Sequence, residues 1–72
     1  MTRSLRKGIL DALIAQAEGS ISKAKMNVEV YLTNPVGIGE HPDVLGSIQD
    51  QIDVIAESQE RLDVLYSLLN EA

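Results

Sequence analysis

Residues 34–43 read NPVGIGEHPD and separate two long apolar-periodic segments. The stretch holds both prolines of the chain, two of its five glycines and its only histidine. Proline disfavours the α conformation in the residue before it, so Asn34–Pro35 stops a preceding helix. Pro42 suits the first position of a following helix and Asp43 the positive end of its dipole, which leaves His41 as the cap. Gly37 and Gly39 permit positive φ in between, and Val36 and Ile38 are free to fold back over the core. A connection over about 34–41 is long enough for an antiparallel return. The stretch therefore reads as the turn of a helical hairpin.

The segment before the turn carries Leu10, Ile14, Ala17, Ile21, Ala24, Val28 and Tyr31 at alternating spacings of four and three, a heptad seam. Leu5, Ile9, Leu13 and Leu32 widen its apolar face. This predicts a helix over about 4–32. Two features oppose it: Gly19–Ser20 could kink the helix, and the alternation of NVEVYL at 27–32 suits an extended strand. The continuing heptad favours helix. After the turn, Leu45, Ile48, Ile52, Ile55, Gln59, Leu62, Tyr66 and Leu69 repeat the pattern with only Gln59 polar, predicting a helix over about 42–70. Antiparallel pairing of the seams sets Tyr31 near Leu45, Val28 near Ile48, Ala24 near Ile52, Ile21 near Ile55, Ala17 near Gln59 and Leu10 near Tyr66.

A chain of 72 residues forms one domain. A domain this small usually needs a staple. With no cysteine and one histidine, disulfides, thiolate sites and multi-histidine sites are excluded within one chain. A partner subunit is the remaining staple. Two helices leave Leu13, Val44, Val54, Leu65 and Leu68 partly exposed, and contiguous apolar surface of that kind marks an interface. The expected architecture is all-α, an antiparallel two-helix hairpin that dimerises into a four-helix bundle. Gln59 then has two readings: a polar seam residue that fixes register, or a half-buried side chain with its amide in water.

Net charge is −5 and uneven. Residues 1–36 carry five bases and three acids; residues 37–72 carry Arg61 and eight acids. The halves should attract in an antiparallel hairpin. The same imbalance disfavours nucleic-acid binding, which needs a concentrated basic surface. No apolar run approaches the roughly 18 residues of a membrane span. The opening MTRSLRKGILDALIAQ is basic and amphipathic, but Asp11, Glu18 and a period that continues to Tyr31 read as mature structure rather than a targeting peptide.

Catalytic and ligand chemistry has few carriers. Glu40, His41 and Asp43 offer a general acid–base pair or a one-nitrogen, two-carboxylate metal site. A helix N-terminus with favourable acids accounts for the same residues. GIG before a helix resembles a phosphate cradle but lacks the preceding strand and third glycine of the dinucleotide fingerprint. Candidates for a small ligand are Glu40 and His41, Tyr31 or Tyr66 for stacking, and Lys23, Lys25 or Arg61 for phosphate. Asp50, Asp53, Glu57 and Glu60 form an acidic stripe opposite the seam, either a solvated face or an attraction for a basic partner.

The stretch NVEVYLTNPVGIGEHPDVL, with IDVIAESQERLDVL downstream, resembles a group of short helical proteins encoded by tailed phages, including those of marine cyanobacteria. The similarity covers residues 27–65. It implies a phage origin, a helical hairpin, and hence the cytoplasm of an infected bacterium. It carries no functional residue across. The expectation is a non-enzymatic oligomer, without cofactor or metal, that binds a host or phage macromolecule. The alternative is an oligomer that sequesters a nucleotide.

Overall fold

The computed structural model describes residues 2–34 and 43–71. They form two helices, α1 (Thr2–Thr33) and α2 (Val44–Leu69), packed against each other with no strand among the described residues. The helices run antiparallel. Near the turn, Asn27 Nδ2 donates to Gln51 Oε1 at 3.1 Å; at the far end, Arg6 donates to the Leu68 carbonyl at 2.6 Å. The turn residues 35–42 lie outside the described region, and with them the duties assigned above to Pro35, Gly37, Gly39 and Pro42, and to Val36 and Ile38 as core caps.

The heptad decides α1. Its seven expected seam residues, Leu10 to Tyr31, are all buried or half-buried. Residues 27–32 are helical, since the strand-like alternation loses to a seam that continues through them. Gly19 does not interrupt the helix. The Thr33 hydroxyl donates to the Glu29 carbonyl at 2.7 Å and the Asn34 amide to Val30 at 2.8 Å, which satisfies carbonyls of the last turn.

At the start of α2 the cap is Asp43 rather than His41, and the helix begins at Val44. The Asp43 carboxylate accepts from the Gly46 amide at 2.8 Å. Aspartate is among the preferred caps because it satisfies an amide that no helical carbonyl can reach. Gly46 makes room: a Cβ there would collide with the Asp43 carboxylate.

The seam of α2 is rotated from the expected one. Ile48, Ile55, Leu62 and Leu69 face α1 as expected, but Gln51, Ser58 and Leu65 complete the seam. Leu45 is 80% exposed, Ile52 50% and Tyr66 42%, and Gln59 is also exposed. The pairing keeps about its expected height, with Asn27 beside Gln51 and Arg6 beside Leu68, and half of the expected α2 seam is turned away from α1. Both seams have heptad spacing, and small residues decide between them. Ala17 and Ala24 are 1% exposed, and Ser58 is 3% exposed at about the height of Ala17. A serine lets the backbones close where glutamine would hold them apart. Leu65, expected at the edge, is buried at 6% inside the hairpin.

The core is thin. Seven apolar side chains are buried among the described residues, and no large one is fully enclosed. Charge attraction between the helices takes an unexpected form. The two ion pairs among the described residues, Lys7–Asp11 at 2.6 Å and Arg61–Glu57 at 3.2 Å, lie within single helices and on the surface, where such pairs contribute about 0.3–0.5 kcal/mol. The basic half instead reaches the acidic half through Arg6, which covers a carbonyl at the end of α2, where the helix dipole is negative.

Replacing Ala17 with leucine forces the helices apart and is expected to lower unfolding free energy by about 1–3 kcal/mol in urea titrations. Gly19→Ala adds a Cβ into open space within a helix and should raise it by about 0.5–1 kcal/mol. A loss on Gly19→Ala would show that α1 bends there.

Candidate functional site

The ligand candidates scatter. Glu40 and His41 lie outside the described residues. Asp43, their proposed companion in acid–base or metal chemistry, is engaged as the cap of α2. Among the described residues no group of three or more metal-ligating side chains converges. Tyr31 is a half-buried seam residue, and Lys25 is exposed.

Lys23 lies in a polar notch of about 350 Å³ lined by Ser20, Lys23, Ala24, Asn27, Gln51 and Val54. The Asn27–Gln51 hydrogen bond joins the two helices here. Because Asn27 donates to the Gln51 carbonyl, the Asn27 carbonyl and the Gln51 amide remain available, next to the Ser20 hydroxyl and the Lys23 ammonium. The notch can take one small anionic or amide-like group. Sequence reading missed it because Asn27 and Gln51 are 24 positions apart. Their one detectable signal was a polar residue on each segment at a similar distance from the turn.

The expected interface residues divide. Leu13, Val54 and Leu68 are each close to 40% exposed. Heptad spacing puts Leu13 in line with Arg6, Ser20 and Asn27, and Val54 in line with Leu68 and Arg61. These residues form one face of the hairpin. An apolar groove of about 440 Å³ opens at its far end, lined by Leu5, Arg6, Ile9, Leu10 and Leu68. Gln59 is on the opposite face, in line with Leu45, Ile52 and Tyr66. Leu65 belongs to neither, being core. Asp50, Asp53, Glu57 and Glu60 are exposed on the outer side of α2. No helix among the described residues is long and apolar enough to cross a membrane.

Tyr66 joins the face of Gln59 to α1. Its hydroxyl donates to the Glu18 carboxylate at 3.4 Å, and the nearby negative charge, with smaller contributions from desolvation and from that hydrogen bond, raises its pKa above the ordinary 10.0. A pKa raised on folding means the contact stabilises the hairpin fully below pH 10 and loses that contribution as pH rises through the folded value. In a Tyr31→Phe background, ultraviolet titration should give Tyr66 a midpoint above 10.0 that falls toward it on Glu18→Gln. An unchanged midpoint would remove the contact from solution.

No protein-family model, no curated protein and no solved structure matches the chain.

Proposed function

We propose that the chain is a small non-enzymatic helical protein, phage-encoded, that dimerises into a four-helix bundle and acts by binding a host or phage macromolecule. The supporting observation is surface chemistry. Among the described residues twelve large apolar side chains are exposed on a two-helix hairpin, and contiguous exposed apolar surface marks interaction sites, while Asp50, Asp53, Glu57 and Glu60 sit together on the outer side of α2. The apolar faces suit association with copies of the same chain. The acids suit attraction of a basic protein surface. A phage origin places the protein in the cytoplasm of an infected bacterium.

Light scattering and crosslinking at micromolar concentration should give a mass of at least two chains; a folded monomer would end the oligomer half of the proposal. For the binding half, affinity capture from host lysate is compared with the variant Asp50→Asn, Asp53→Asn, Glu57→Gln, Glu60→Gln. The expected outcome is a basic protein that elutes with salt and is absent from the variant. Equal capture by both would sink the acidic-face idea.

The polar notch at Lys23 supports a second reading, an oligomer that sequesters a nucleotide with Lys23 on a phosphate and the Asn27–Gln51 amides on the base or sugar. A ligand present at 100 times its Kd stabilises the fold by about 2.7 kcal/mol, so a thermal-shift screen of mononucleotides and cyclic nucleotides should show a rise that Lys23→Ala removes. No rise with any of them would dismiss this reading.

A further inference from the structure

Helix α2 carries two overlapping heptad seams that share Ile48, Ile55, Leu62 and Leu69. The first is completed by Gln51, Ser58 and Leu65 and lies on α1. The second is completed by Leu45, Ile52, Gln59 and Tyr66, all exposed. Five acids occur in α2, at 50, 53, 57, 60 and 63, and none falls on the second seam. An uncharged stripe that persists at heptad spacing along an acidic helix is organised like an interface.

We infer that this second seam pairs antiparallel with α2 of a second copy, about a two-fold axis crossing the hairpin near Glu57; the inference rests on the oligomer reading and fixes its face and direction. The axis sets Leu45 against Leu69 of the second copy, Ile48 against Tyr66 and Ile55 against Gln59, and lays Ile52 at the height of Leu62, which is already buried in the hairpin core. Like flanks meet in antiparallel pairs, so Ala56 meets Ala56 at the axis and Gln49 meets Asp63, an amide with a carboxylate. Gln59 then lies beside the axis, where one polar residue can hold register at some cost in stability.

A two-fold perpendicular to the helices also lays α1 on α1. Tyr66 reaches Glu18 from this face, and Lys25 and Leu32 continue the same flank of α1 at sevenfold spacing. The axis passes α1 near Ser20, which brings Glu18 of each copy within a turn of Lys25 of the other. The charges therefore complement one another twice. A two-fold parallel to the helices would place α1 over α2 and leave the two second seams apart. The hairpin extends 52 Å by 16 Å by 16 Å, so a face running its full length projects to roughly 800 Å², of the order of the accessible area each partner contributes to an interface of standard size. The opposite face is the weaker choice, since Arg6, Ser20, Asn27 and Arg61 interrupt Leu13, Val54 and Leu68.

The chain has no cysteine, so single-cysteine variants report without background. Ala56→Cys should form a disulfide-linked dimer under mild oxidation, and Leu45→Cys should not, because antiparallel pairing holds the two copies of residue 45 at opposite ends. Ile52→Glu should raise the dimer Kd more than about tenfold by sedimentation, since a buried charge costs more than 1.4 kcal/mol, with helix content kept. Val54→Glu, on the other face, should leave Kd unchanged. A dimer that survives Ile52→Glu and dissociates with Val54→Glu overturns this face while keeping the oligomer reading. A linked Leu45→Cys dimer overturns the antiparallel direction. A chain that is monomeric throughout ends both proposals.

Discussion

The hairpin depends on close approach of two backbones along a row of small side chains. Ala17, Ala24 and Ser58 are the most deeply buried residues described, yet none has enough apolar surface to drive association itself. They determine how near the larger residues come. With the backbones close, Leu10, Ile14 and Ile21 reach Leu62 and Leu65 and form one cluster. Dispersion contacts fall off within an ångström of optimal separation, so a wider spacing would forfeit much of the small core. The rotation of α2 follows from the same constraint. Serine on the seam permits contact that glutamine would prevent, and turning Ser58 inward turns Leu45, Ile52 and Tyr66 outward.

This explains what could be read in the sequence. In α1 only one stripe has heptad spacing, because Asp11, Glu18 and Lys25 occupy the adjacent line, and the pattern alone identifies the buried face. In α2 the apolar arc is wider than one seam. Two phases have heptad spacing, and the residues that complete the more apolar one, Leu45, Ile52, Gln59 and Tyr66, are the ones left in solvent. Side-chain size was the missing criterion. The cap follows a local rule that proline at 42 obscures: the carboxylate of Asp43 accepts from the Gly46 amide, and the missing Cβ of Gly46 lets it approach. The Asn27–Gln51 pair was hard to read because Asn27 lies beside the α1 seam rather than on it, and a single polar residue there has no periodic signature.

Charge was legible in amount and not in mechanism. An acidic half and a basic half suggest ion pairs across the hairpin, yet the ion pairs described are within single helices. Exposed cross-helix pairs would order two long side chains for little return. The seam carries no charge and the acids of α2 are exposed away from it, so among the described residues the basic group that crosses, Arg6, meets a helix terminus instead of a carboxylate.

That outward placement bears on how an acidic protein could associate with itself. Two chains carry twice the net charge of −5, which opposes dimerisation if the charges approach. In the antiparallel arrangement proposed above, Asp50, Asp53, Glu57 and Glu60 stay on the outer side of each α2, and the two stripes are separated by about two helix widths, roughly 20 Å. At physiological ionic strength the Debye length is about 8 Å, so repulsion between the stripes is largely screened. A cationic surface resting directly on one stripe would be screened far less. The same geometry thus separates two demands on one helix: an uncharged seam for its own copy, and a concentrated negative field directed at a different partner.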